Sequence, residues 1–263
     1  MGTGVPAPAC GARQPRRRRG RASSRDGHAF AREHGDHTGA RAFRALPVLT
    51  TLCLTFDNGP DPDVTPLVLE TLRRHDIRST FFVLGDKLRD RREISRRAHA
   101  EGHWIGNHTY NHIVPLGMSS ERGIASSEIA RTQDLIGNLS HERRLFRPFG
   151  GGGMLDRRLL NREALDYLVR GGFTCVLWNV IPEDWAYPES WVERALKLCF
   201  AEETALAVLH DLPTGAMREL DRFIGEAKDR GATFVQDYPA SCVPMERGRL
   251  TGAIEPYLSE ERT

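Results

Sequence analysis

Asp57 and Asn58 close an apolar run, Leu52-Cys-Leu-Thr-Phe, and Gly59-Pro60 turns the chain away directly after them. A strand-forming run that ends in an acid and an amide delivers two polar side chains at a strand exit. Ordinary turn chemistry accounts for the junction equally well, because Asp, Asn and Gly are common turn residues. His108 and His112 stand four residues apart in Gly106-Asn-His-Thr-Tyr-Asn-His. On one face of a helical turn their Cβ atoms lie roughly 6 Å apart. Two imidazoles so placed can grip one ion, with a third ligand from elsewhere and open positions for water. The spacing alone is a weak signal, since surface or hydrogen-bonded histidines share it. Arg147 follows Leu145-Phe146, Asp184-Trp185 follows a further apolar run, and His210-Asp211 ends another. Taken singly, these read equally as a surface arginine, a core tryptophan and a satisfied core histidine.

The elements that must position these residues alternate. Strands are predicted over 48–56, 79–84, 104–106, 144–146, 173–180, 204–209 and 233–235. Helices are predicted from an N-cap at Thr65 with Pro66 in the first turn, and over 91–101, 119–139, 157–169, 189–200 and 215–229. Gly150 to Gly153 forms a pliant loop. Such alternation argues βαβ units and a parallel sheet, closed or partly closed into a barrel. Asp57, His108, Arg147, Asp184 and His210 each follow a separate strand, so a parallel barrel carries all five to one rim, where such folds keep their chemistry. No glycine-rich dinucleotide loop or phosphate loop is present.

Lys plus Arg (37) nearly balances Asp plus Glu (35), so no overall field argues for nucleic acid. Residues 1–46 hold Arg16 to Arg19 and further arginines among Gly, Ala, Ser and Pro. They carry too little apolar surface to offset the entropy of ordering, and are expected to be a disordered tail. The domain is expected over 47–240, with residues 241–263 as a second tail. Five scattered cysteines without a CxxC pair disfavour a disulfide framework and a cysteine zinc site. No stretch is apolar enough to span a bilayer. No apolar segment follows the N-terminal arginines, which predicts a cytoplasmic protein. Oligomeric state is not legible.

From about Leu52 to Asp237 the chain resembles the polysaccharide deacetylase superfamily, also known as NodB homology or carbohydrate esterase family 4. Thr55-Phe-Asp-Asn-Gly-Pro60 resembles its first motif, TFDDGP. His108-Thr-Tyr-Asn-His112 matches the second, H-[ST]-x-x-H. Arg147-Pro-Phe-Gly150 resembles the third, R-x-P-[YF]-G, shortened by one residue. Asp184-Trp185 matches the core of the fourth, and Leu209-His-Asp211 the fifth. The resemblance implies an α/β fold, a distorted (β/α)7-8 barrel, and a hydrolase of non-peptide C–N bonds that deacetylates an N-acetylated sugar or glycan. It implies Asp57 as general base and Arg147 as the group that orients it. It makes His210 the general acid, tuned by Asp184. Asn58, His108 and His112 would hold a divalent metal, usually zinc or cobalt. Phe149 would offer its backbone N–H to the oxyanion, and Trp185 and Leu209 would wall the acetyl pocket.

Asn58 departs from the family pattern, which has an aspartate there. An amide oxygen coordinates without adding charge, so a metal is expected to be weakly held. Two further readings remain open: a metal-independent, allantoinase-like amidohydrolase acting on a small amide, and an inactive glycan-binding relative. Asn179 and Pro182, near the fourth motif, also stand where relatives often carry acids.

Overall fold

The computed structural model describes residues 50–260. The expected tail over 1–46 lies outside the described residues. In chain order the elements are β1 (Thr51–Asp57), α1 (Val64–His75), β2 (Thr80–Val83), α2 (Gly85–Ala100), β3 (Trp104–Asn107), α3 (Arg131–Ile136), β4 (Leu145–Phe146), α4 (Arg162–Arg170), β5 (Thr174–Cys175), α5 (Trp191–Cys199), β6 (Thr204–His210), α6 (Leu220–Asp229), β7 (Thr233–Val235), β8 (Met245–Glu246) and β9 (Arg249–Leu250).

Strands β6, β1, β2, β3, β4 and β5 pair in that order, all parallel. β1 pairs with β6 along its whole length, from Thr51↔Thr204 to Asp57↔His210. Its other edge is shared, with β7 beside Thr51 to Cys53 and β2 beside Thr55 to Asp57. Beyond β5 the chain crosses to β6, where Val180 pairs with Ala207. The Asn179 side chain extends that seam, accepting from the Leu206 N–H and donating to the Thr204 carbonyl. The sheet is thus curled and partly closed, as the alternation of elements predicts.

The pleat divides the core in two. Leu52, Leu54 and Phe56 of β1, with Ala205, Ala207 and Leu209 of β6, face the helix layer. There they meet Val68, Leu69 and Leu72 of α1 and Phe223 of α6. Each of the fully buried Leu, Val and Phe side chains among them contributes about 1.5–3 kcal/mol. Cys53 of β1, with Leu206 and Val208 of β6, faces the barrel interior with Phe82 and Phe146. Asp57 and His210 share the parity of this inner set. The four described cysteines are buried and free. No helix among the described residues is long and apolar enough to cross a membrane.

Four expectations need correction. Residues 241–260 do not form a tail: β8 pairs antiparallel with β5, and Cys242, Met245 and Ile254 are buried in the inner core. Thr65 does not cap α1. Asp61 Oδ1 accepts from the N–H groups of Asp63 and Val64, while the Thr65 hydroxyl turns to Asp61 N–H and Asp211. The single helix expected over 119–139 is a π-turn at Ala125–Ala130, then α3, then a 3-10 turn at Gly137–Leu139. α2 begins six residues earlier than expected and kinks at Arg91.

Candidate active site

A cavity of about 250 Å³ opens at the carboxyl ends of the parallel strands. Asp57, Asn58, His108, His112, Phe149, Trp185 and His210 line it, with Trp178, Ile181, Val208 and Leu212 as further wall. Asp57 and His210 are register partners on adjacent strands, so both are inward-facing neighbours across the cavity floor.

Each has a buried counter-charge. Arg147, fully buried at the exit of β4, donates to Asp57 Oδ1 at 2.9 Å and to the Thr55 hydroxyl at 2.7 Å. Its remaining donors go to the carbonyls of Val176 and Leu177, and its guanidinium lies 4.1 Å over the Phe82 ring. Each nitrogen of this buried cation thus has a hydrogen-bond partner, which a charge in low dielectric requires. Asp184, also fully buried, bonds His210 Nδ1 at 2.9 Å and the His210 N–H at 3.0 Å. Burial alone lowers the His210 pKa, but the Asp184 hydrogen bond and the charges of Asp184, Asp57 and Asp211 outweigh it and leave the pKa raised. Trp185 stands edge-on to His210, with ring centroids 4.6 Å apart.

The histidine pair is positioned by a loop, not by the helical turn that its spacing suggests. β3 ends at Asn107, and Thr109 and His112 take left-handed backbone angles. Their rings still come together, with centroids 4.9 Å apart. His108 Nδ1 bonds the Arg147 carbonyl at 2.8 Å, which fixes the tautomer and leaves Nε2 toward the cavity, 3.6 Å from Asp57. Burial pushes the His108 pKa below its ordinary value, against the pull of Asp57. The His112 pKa falls to about 2, through burial, then His108 and His210, with Lys87 adding to it. Phe149 packs against the His112 ring, with centroids 3.6 Å apart and planes tilted by 33°.

These residues fit a divalent cation. Asn58 Oδ1 is buried and has no hydrogen-bond partner. A buried orphan acceptor costs about 1–3 kcal/mol. Asn58 lines the same cavity as His108 and His112, and an amide oxygen and imidazole nitrogens are donor types that divalent cations accept. Asn58 adopts φ 73°, a left-handed angle that Asn tolerates well, and its backbone carbonyl accepts from Lys87 Nζ at 2.7 Å. Gly59 follows because Asp211 lies against it: a Cβ there would sit 2.1 Å from the Asp211 carboxylate. Burial raises the Asp211 pKa to about 7, against the Thr65 hydrogen bond and the Lys87 charge.

Leu209 does not wall the cavity. Strand parity sends it to the outer core, fully buried, and the wall falls to Val208 and Leu212. The sequence reading also passed over Glu128. Its Oε2 accepts from the N–H groups of Tyr110 (2.9 Å) and Asn111 (3.1 Å), between the two histidines. An acid beside Ile129 on the buried face of the 119–139 segment was the available signal, since carboxylates are seldom buried unpaired. Thr55, which bonds Arg147, left no mark beyond its place in the motif.

Residues 49–174 match the polysaccharide deacetylase family model. A peptidoglycan-N-acetylglucosamine deacetylase of Bacillus cereus is 32% identical over 191 residues, covering 70% of this chain and 84% of the relative. The peptidoglycan-N-acetylglucosamine deacetylase PgdA of Listeria monocytogenes is 29% identical over 70% of this chain, which spans only 37% of that protein. The solved structure of a family 4 carbohydrate esterase from Streptomyces lividans, in complex with acetate, superposes with a TM-score of 0.61 at 25% identity, covering 74% of this chain and 96% of that one. With the strand order, the motif residues and these matches in agreement, the chain belongs to the polysaccharide deacetylase family.

Proposed function

We propose that this chain hydrolyses the acetamido group of an N-acetylated sugar within a glycan, releasing acetate and a free amine. The observation that carries this reading is the register pair Asp57↔His210, an acid and an imidazole facing one cavity, each fixed by its own buried partner. Asp57, oriented by Arg147, takes a proton from the attacking water. His210, its pKa raised within the Asp184 pair, gives a proton to the departing nitrogen. Such a base and acid each contribute on the order of 10²–10⁴ in rate. The Phe149 N–H meets the developing oxyanion, and Trp185, Val208 and Leu212 enclose the acetyl methyl. A divalent metal, zinc or cobalt, held by Asn58, His108 and His112, would polarise the carbonyl and lower the pKa of a bound water toward ~7.

The B. cereus and L. monocytogenes relatives, by name deacetylases of peptidoglycan N-acetylglucosamine, support the substrate class. The test is acetate release from N-acetylglucosamine oligomers and peptidoglycan fragments, with and without chelator. The expected result is release that chelator abolishes and added zinc or cobalt restores. No acetate from any N-acetylated glycan, in the metal-loaded protein, overturns the reading.

A further inference from the structure

His108 and His112 are joined by a loop whose backbone no regular element satisfies. β3 ends at Asn107, and the left-handed angles at Thr109 and His112 exclude a regular helix. The N–H groups of Thr109, Tyr110 and Asn111 go to side chains instead. Asn107 Oδ1 accepts the first at 3.0 Å, and Glu128 Oε2 accepts the other two, at 2.9 and 3.1 Å. The carbonyls of Thr109 and Tyr110 accept from the N–H groups of Gly85 and Asp86, at the start of α2. The loop is thus clamped between α2 and the π-turn that carries Glu128.

Glu128 is only 7% exposed, and it makes no ion pair among the described residues. Asp57, the buried acid of the same site, has Arg147 as its partner. Buried carboxylates are seldom left without a cation. Arg131, three residues beyond Glu128, lies over the Tyr110 ring, 3.6 Å from its centroid. The Glu128 charge is directed at two loop N–H groups, the stronger, charge-assisted kind of hydrogen bond. Its support is built as well. Glu163 of α4 accepts from the N–H groups of Gly123 and Ala125 at the start of the turn. The Ile129 carbonyl accepts from Asn107 Nδ2 at 2.9 Å, which ties the turn to the end of β3.

The proposed ligand set makes this placement matter. Its three donors are an amide and two imidazoles of lowered pKa, so none of them brings negative charge to draw a cation in. Affinity then depends on imidazoles that stand in place before the cation arrives.

We infer that Glu128 is a positioning residue: by holding Tyr110 and Asn111 it places the His108 and His112 imidazoles for a divalent cation. This deepens the metal site proposed above and rests on it. The test separates reach from charge in the full chain. Glu128→Gln keeps an acceptor oxygen at the same reach and removes the charge, and one oxygen serves both bonds. Glu128→Asp keeps the charge and withdraws it by one methylene. Zinc titration of the metal-free proteins should show affinity near that of the unaltered protein for Glu128→Gln. For Glu128→Asp it should show a loss of about 10- to 100-fold, the scale on which groups that orient ligands act. Equal affinity in all three proteins, an equal loss in both variants, or a loss confined to Glu128→Gln overturns the assignment. If the unaltered protein takes up neither zinc nor cobalt, the metal reading fails separately, and amide hydrogen exchange decides for Glu128. Exchange at Tyr110 and Asn111 that speeds up in Glu128→Asp and not in Glu128→Gln supports the loop-holding role, and any other pattern overturns it.

Discussion

The two sides of the cavity treat charge in opposite ways. On the β1, β4 and β6 side, Asp57 meets Arg147 and His210 meets Asp184, each at 2.9 Å, so each buried charge has a protein partner. On the side that follows β1 and β3, the three converging groups are an amide and two imidazoles of lowered pKa, and Asn58 Oδ1 bonds nothing in the protein. The first side is completed by the fold itself. The second keeps an acceptor at a cost, beside two further lone pairs. The fold therefore completes the Asp57 and His210 side from its own residues, and leaves on the other side an acceptor that only a ligand from solution, such as the metal proposed above, would satisfy.

Asp57→Asn should break the paired side in two ways. Acetate release should fall on the order of 10²–10⁴, the contribution of a positioned base. Arg147, fully buried, would lose its only carboxylate, and breaking a buried pair costs about 3–5 kcal/mol. Urea unfolding measures the second effect. Unchanged stability would mean that the carbonyls of Val176 and Leu177 already satisfy the guanidinium. Asn58→Gly is the counterpart on the other side. It removes an acceptor that bonds nothing and tolerates φ 73°, so stability should not fall while metal retention is lost. A loss comparable to that of Asp57→Asn would erase the contrast between the two sides.

Asn58→Asp sharpens the same contrast with a smaller effect. It returns negative charge to the ligand set, and zinc should bind tighter by about tenfold or more, the scale on which supporting groups change metal affinity. Zinc titration of the purified protein reads this directly. Unchanged or weaker binding would show that Lys87, already bonded to the Asn58 carbonyl, takes the new carboxylate as its own partner.

The paired side was the more legible in the sequence, for a physical reason. Asp57, Arg147 and His210 follow short apolar runs, and period-two alternation with strand order is enough to bring such residues to one rim. The same alternation, applied one residue further, would have placed Leu209 on the outer face. The histidine side depends on backbone geometry that composition does not encode. HxxxH suggests a helix, whereas Thr109 and His112 are left-handed and the loop hangs on Glu128, 16 residues beyond His112 and carried by a π-turn. The segment 241–260 was misread because β8 and β9 span two residues each, too short for any periodicity to register.

Asp184→Asn probes the paired side through its pH dependence. The His210 pKa is raised in the fold, and Asp184 is the largest influence in that direction, acting against burial. In the proposed mechanism His210 acts as the acid only when protonated, so activity should be lost as pH rises through its folded pKa. Removing the Asp184 charge lets burial dominate, and the alkaline limb of kcat/KM should move to lower pH. Stability follows the same sign. A histidine with a raised folded pKa contributes stability that is fully present below its unfolded value, ~6.5. That contribution is lost as pH rises through the folded value. The variant should therefore be destabilised more at pH ~5.5 than at pH ~9. An alkaline limb that does not move would assign it to a group other than His210. Equal destabilisation at both pH values would show that Asp184 holds its neighbours through the His210 N–H bond, at 3.0 Å, and not through its charge.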